Sequence, residues 1–148
     1  MKKLKKYYKE NVGVLGLGKS GKAAVKILIH SNAYVFAFDD NIEIQKKIKN
    51  YNWIHYSKWD WEKLSCVVIS PGIKICGKKK HKVVTLAKQF NVKIINEIQL
   101  LMEQNPEGKI VGITGTNGKS TLVSLLSHIL TNNNIKNSVG GNIGIPGC

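Results

Sequence analysis

Two glycine clusters constrain this chain more than any other feature, because each stands between a short apolar run and a helix-like pattern. The first, Gly16-Leu17-Gly18-Lys19-Ser20-Gly21, follows the run at 12–15. The second, Gly115-Thr116-Asn117-Gly118-Lys119-Ser120, follows the run at 109–114. A strand that turns through glycine and opens a helix is the elementary step of a βαβ unit, and such units build parallel sheets. The rest of the chain keeps the alternation. Short β-type runs at 34–38, 53–55, 66–70 and 93–95 are separated by helical patterns at 21–29, 42–49, 83–90 and 97–103. The expected fold class is α/β. In the helix at 21–29, Ala24, Ile27 and Leu28 fall on one face and are the expected core contacts. The unbroken apolar run at 66–70 suits a central parallel strand buried on both faces. The aromatic residues crowded into 51–61 fit core and edge packing better than a ligand platform.

Asn105-Pro106-Glu107-Gly108 breaks the pattern and is the expected domain boundary. It divides the chain into a Rossmann-like unit at 1–107 and the start of a phosphate-loop unit at 108–148. In the second unit a strand is expected at 109–114. It leads into a helix whose inner stripe is Leu122, Leu125, Leu126, Ile129 and Leu130 and which ends near 132–134, and Val139 closes a further short element. Roughly 40 residues rarely build a core unaided, so this unit is expected to be incomplete and the chain to be a fragment, a truncated gene product or part of a longer protein.

Composition removes several classes of function. The chain has 148 residues, of which 43% are hydrophobic, and no apolar run approaches the roughly 18 residues that span a bilayer. The net charge of +14 suggests nucleic acid, but all 23 basic residues are lysine. A phosphate-backbone reader would use the bidentate fork of arginine, and the abundance of Lys, Asn and Ile looks like a bias acting along the whole chain. No nucleic-acid or membrane partner is therefore expected. The basic start MKKLKKYYKE runs into a strand-like segment rather than an apolar signal core, which leaves the chain in the cytoplasm. Cys66, Cys76 and Cys148 are odd in number and lack metal-ligand spacing, so reduced, non-ligand thiols are expected.

The two loops carry the chemistry. In Gly112 to Thr121, reading GITGTNGKST, the glycines let successive backbone N–H groups point into one concavity at the positive end of a helix. Gly115, Thr116, Asn117, Gly118 and Thr121 frame it, Lys119 reaches the terminal phosphates and Ser120 offers a hydroxyl to Mg2+. Ile113 stands where the generic Walker pattern has its first glycine, so the motif is a shorter variant. The plain alternative is a glycine turn with a solvated lysine. The first cluster fits G-x-G-x-x-G, with Asp39 and Asp40 following at the end of the next strand. By itself it implies a pyrophosphate-linked nucleotide without saying which, NAD included; a tight turn used only for packing is the alternative. Ser70-Pro71-Gly72-Ile73 and Gly140-Gly141-Asn142-Ile143-Gly144 add two further turns, each weak alone.

Taken in order, GLGKSG, SPGI, GITGTNGKST and GGNIG resemble the Mur ligases of bacterial cell-wall synthesis, and among them the D-glutamate-adding branch. The resemblance covers nearly the whole chain. The alanine-adding branch typically has His where Asn117 stands, and the branches adding meso-diaminopimelate or lysine have a differently built first domain. The resemblance implies that the first loop binds the UDP part of the substrate, with Gly18, Lys19 and Ser20 near the diphosphate and Asp39 and Asp40 near the uracil. The family usually has a hydroxyl residue where Asp40 sits. Ser70, Pro71 and Gly72 would line the inter-domain cleft, and Gly141 and Asn142 would approach the muramoyl group.

The implied reaction is phosphorylation by ATP of the L-alanine carboxylate of UDP-N-acetylmuramoyl-L-alanine, followed by attack of the D-glutamate amine. Lys119, the loop N–H groups and Mg2+ held through Ser120 would stabilise the transferring phosphoryl group. The family's other metal ligands lie downstream of Cys148, so these residues alone are expected to be inactive as a ligase. A monomer is expected. Two readings compete with this one. An NAD-dependent oxidoreductase leaves the second loop unexplained, while a non-enzymatic nucleotide-binding or nucleic-acid-binding module stays open given the charge and the missing downstream residues.

Overall fold

A computed structural model describes residues 3–46, 53–104 and 108–141. Its centre is a four-stranded, all-parallel sheet of order β2-β1-β3-β4, formed by β1 (Asn11–Leu15), β2 (Tyr34–Phe38), β3 (Leu64–Ile69) and β4 (Lys93–Ile95). The helices are α1 (Lys19–His30), α2 (Ile42–Lys46), α3 (Lys82–Gln89), α4 (Glu97–Glu103) and α5 (Lys119–Asn132). The expected α/β class holds. The first connection carries the chain from β1 out to β2 on one side, and β3 and β4 then extend the other side. The order therefore reverses between β1 and β3, where open α/β sheets take their ligands.

Side-chain alternation splits the strands between two layers. Val12 and Val14 of β1 and Cys66 and Val68 of β3 pack with Ala24, Val25, Ile27 and Leu28 of α1 and Leu100 of α4. Leu15, Val67 and Ile69 point the other way, onto Val83, Val84 and Ala87 of α3 and onto Trp59 and Trp61. β3 is thus buried on both faces, as its unbroken apolar run requires. Gly13 has a packing reason inside β1: a Cβ there would lie 2.6 Å from the Trp59 ring. The two indole N–H groups donate to Ile54 O and Tyr56 O, so these aromatic residues are core, with their polar atoms satisfied.

The start of the chain is tied to the end of α4. Tyr7 is buried, and its hydroxyl donates to Glu103 Oε2 at 2.5 Å, while Lys6 Nζ bonds Glu103 Oε1 at 2.6 Å. Burial pushes the Tyr7 hydroxyl well above its ordinary range, and its bond to Glu103 adds to this. Burial also raises Glu103, but the bonds from Lys6 and Tyr7 outweigh it and hold the carboxyl below its usual value. Burial pushes the Cys66 thiol up to about 11, which suits the unreactive packing role expected of it.

Four expectations need correction. Residues 53–55 form no strand, only a single parallel bridge between Ala37 and Trp53. The segment 109–114 belongs to no strand; Ile110 is 51% and Val111 67% exposed. A β-rich segment becomes a strand only when a neighbour completes its ladder, and the sheet ends at β4. α5 forms where expected, yet none of its residues is buried, and Leu122, Leu125 and Ile129 of the expected inner stripe are exposed, with Leu126 and Leu130 only half-buried. Val139 joins no element. The last part of the helix expected at 42–49, the boundary residues 105–107, and Asn142 with the rest of its turn lie outside the described residues. Among those described, no helix is long and apolar enough to cross a membrane.

Candidate functional site

The first glycine loop is built into the sheet from three directions. Gly16, at φ +85, leaves β1 with its N–H on Phe38 O, while Ser70, the residue after β3, donates its N–H to Leu15 O and its hydroxyl to Gly16 O at 2.8 Å. Asp39, the residue after β2, accepts Leu17 N–H on one carboxylate oxygen and Asn41 N–H on the other, at 2.5 and 2.8 Å. Gly21 closes the turn against Gly16: a Cβ on Gly21 would sit 1.7 Å from Gly16 O. Residues that follow three different strands thus fix one backbone conformation at the point where the strand order reverses.

Gly18 caps α1 and is exposed with Lys19, while Ser20 is half-buried. No side chain caps α1 and its first turn has no acidic residue. The same is true of α5, which starts at Gly118 in the left-handed conformation at φ +75. Helices elsewhere are finished differently: His81 accepts Val83 N–H to cap α3, and Asn96 accepts Gln99 N–H to cap α4. A helix start leaves its first N–H groups without intrahelical partners, so the two uncapped starts behind glycine turns are suited to an anion.

The acidic pair divides its work. Asp39 is buried and committed to backbone N–H groups, whereas Asp40 is exposed and faces His81, with Asp40 Oδ2 3.1 Å from His81 Nε2. Because His81 Nδ1 accepts the Val83 N–H, the neutral ring carries its proton on Nε2, toward Asp40. The His81 ring meets Tyr56 edge-on, and Tyr56 meets Phe38 in the same way. Sequence reading missed His81; its one local signal was its position just before a helical pattern. On the other side of Ser70 lies a cavity of about 280 Å³ at the ends of β3 and β4, lined by Pro71, Ile73 and Ile95 among others. Gly72 is exposed.

The second loop is less supported. Gly115, Thr116, Asn117, Gly118, Ser120 and Thr121 are exposed, and Lys119 is half-buried. The Lys119 ammonium folds back into its own loop, donating to Gly115 O and to Thr116 O, the latter at 2.9 Å. Its charge is thus satisfied by the loop's own carbonyl oxygens. The residues present fit a nucleotide phosphate: backbone donors, a cation and a hydroxyl converge at one helix start. They do not fit a metal ion alone, since Ser120 offers a single oxygen and no group of three or more His, Cys, Asp or Glu side chains gathers among the described residues.

Fold and loops together define an open parallel-sheet α/β protein with a glycine turn at the reversal of its strand order. No family model matches the chain. It is similar to proteins named UDP-N-acetylmuramoylalanine--D-glutamate ligase: 43% identical over 148 residues to that of Wolbachia sp. subsp. Brugia malayi (strain TRS), covering 97% of this chain and 30% of the relative. It is 40% identical to that of Wolbachia pipientis wMel, over 97% of this chain and 28% of the relative. It is also 40% identical to that of Rickettsia prowazekii (strain Madrid E), over 95% of this chain and 31% of the relative. The resemblance to the Mur ligases, in their D-glutamate-adding branch, thus runs almost the whole length of the chain. The chain spans about 30% of the length of the curated relatives it matches.

Proposed function

We propose that this chain is the nucleotide-binding front part of an ATP-dependent ligase of peptidoglycan synthesis, one that joins D-glutamate to UDP-N-acetylmuramoyl-L-alanine. The observation that carries the reading is the presence of two glycine turns, each opening a helix that has neither a side-chain cap nor an acidic first turn. In this proposal residues 1–107 form the unit that holds the UDP-linked substrate and 108–148 begin the unit that holds ATP. The proposed setting is the cytoplasm, and the proposed state a monomer.

Gly18, Lys19 and Ser20 take the diphosphate at the start of α1. Asp40, steadied by His81, is the acidic side chain open to the uracil, while Asp39 shapes the loop that both depend on. Ser70, Pro71 and Gly72 line the way from the diphosphate to the muramoyl group, which Gly141 and Asn142 approach. When bound, ATP supplies the phosphoryl group that turns the poor leaving group of a carboxylate into a good one. The N–H groups from Gly115 to Gly118 would hold the phosphates, with Thr121 in the first turn of the helix behind them, and Lys119 would exchange Gly115 O and Thr116 O for phosphate oxygens. Ser120 offers its hydroxyl to Mg2+ as one ligand among phosphate oxygens. The second loop is expected to hold its nucleotide only weakly in residues 1–148, because α5 has no buried residue to hold it rigid.

Thermal unfolding of the chain with added ligands tests the reading. UDP at 100 times its dissociation constant is expected to stabilise the chain by about 2.7 kcal/mol. Stabilisation by NADH and not by UDP would turn the assignment to an oxidoreductase. No shift with either would leave a nucleotide-independent module.

A further inference from the structure

Two histidines finish a turn with a ring nitrogen, a task given at α4 to Asn96. His55 Nδ1 accepts Ser57 N–H at 3.2 Å, and His81 Nδ1 accepts Val83 N–H at 3.1 Å. Both rings meet Tyr56, which packs on Phe38 at the end of β2. Only a neutral imidazole has an accepting nitrogen. The two differ in what protonation leaves them. Ser57 Oγ lies 2.7 Å from His55 Nδ1 and can accept once that nitrogen carries a proton. His81 Nδ1 has no second partner among the described residues, while its Nε2 is 3.1 Å from Asp40 Oδ2 and its backbone N–H bonds Lys74 O at 2.9 Å.

We infer that His81 is a pH-sensitive latch on the connection between β3 and α3. With the ring neutral, this one residue holds the start of α3 through Nδ1, Asp40 through Nε2–H and the segment 70–81 through its backbone. Protonation turns Nδ1 into a donor that faces the donor N–H of Val83, so the cap opens. Nε2 donates in both forms, and its bond to Asp40 gains an opposite charge. The contribution of the cap is therefore present while the ring is neutral and is lost as pH falls. The groups around the ring act in both directions: Asp40, after β2, favours the charged ring, and exposed Lys74, Lys80 and Lys82 of its own segment favour the neutral one. From residues 56–58, Tyr56 offers a ring contact at 5.4 Å. Acidification thus frees the α3 end of a segment whose β3 end, Ser70, is bonded to Gly16 of the first glycine loop.

The test is amide hydrogen exchange of the 148-residue chain by NMR, with the His81 ring resonances followed in the same samples. It is read as the protection of Val83 relative to that of Gln99, whose N–H is capped by the Asn96 side chain, a group that does not titrate. The ratio removes the intrinsic pH dependence of exchange. Between about pH 8 and pH 5, where histidine side chains change charge, it is expected to fall roughly twofold to thirtyfold, the contribution of a helix cap, with the midpoint of the ring resonances. His81→Asn, which caps without titrating, is expected to keep the ratio constant. A constant ratio in the unsubstituted chain, a ring still neutral at about pH 5, or a fall that persists in His81→Asn overturns the inference. The first two outcomes are read on the unsubstituted chain and need no variant.

Discussion

The two glycine loops use the same local chemistry and receive very different support. At the first, Ser70 and Asp39 reach in from the ends of the two strands that flank β1 and Gly21 closes against Gly16, so the turn is part of the core. At the second, the turn is exposed, its one cation bonds its own carbonyls, and the helix behind it buries nothing. A phosphate-type turn is therefore a local feature that a short sequence can write. Its rigidity comes from elements far away in the chain.

The sharpest way to break this comparison is to add one methyl group to each loop. Gly21→Ala puts a Cβ 1.7 Å from a backbone oxygen that cannot move without opening the turn, and is expected to cost about 4 kcal/mol or more in urea unfolding. Gly118→Ala meets open space and carries only the left-handed penalty, about 1–2 kcal/mol, confined to the start of α5. Equal losses in the two variants would mean that both loops are equally built in.

A second pair compares the helices. Leu28 of α1 is fully buried, so Leu28→Ala is expected to cost about 2–5 kcal/mol. Leu125 of α5 is 53% exposed, and Leu125→Ala is expected to stay within about 0.5 kcal/mol. A third comparison, smaller than either core substitution, concerns the tie between Lys6, Tyr7 and Glu103, which fastens the chain's start to α4. The Glu103 carboxyl is held below its ordinary value in the folded chain. Its contribution is thus fully present above the ordinary carboxyl range near pH 4.3 and is lost as pH falls through the depressed folded value. Glu103→Gln is expected to cost about 1 kcal/mol at pH 7, given the partial exposure of the pair, and less at pH 3. A loss that grew on acidification would contradict the tie.

What could be read from the residues follows a physical line. β2, β4 and α4 formed at their expected bounds because short runs of aromatic and β-branched residues and an asparagine cap act within a few residues. α1 formed with Ala24, Ile27 and Leu28 inside, since a helix carries its own period wherever it packs. The run at 109–114 has the same β-type composition as β4 but formed no strand, and the stripe of α5 has the period of α1 but stayed exposed. In both cases the local preference was correct and the partner that would complete it was not supplied by the described fold.

The candidate site divides in the same way. Glycine spacing located both loops and the acidic pair, but nothing in the order Asp39-Asp40 says which carboxylate is buried to hold the loop and which stays open beside His81. Nor does it say that Glu97, one polar residue beyond an asparagine cap, ends against an isoleucine-lined cavity with an oxygen unpaired. The sequence by itself determined the α/β class, the turns and the helix starts, because these depend on backbone sterics and short-range periodicity. The tertiary structure alone decided which side chains meet across Gly16, Ser70 and Glu97, because burial and hydrogen-bond partnership are set by residues that the sheet brings together from more than fifty positions apart.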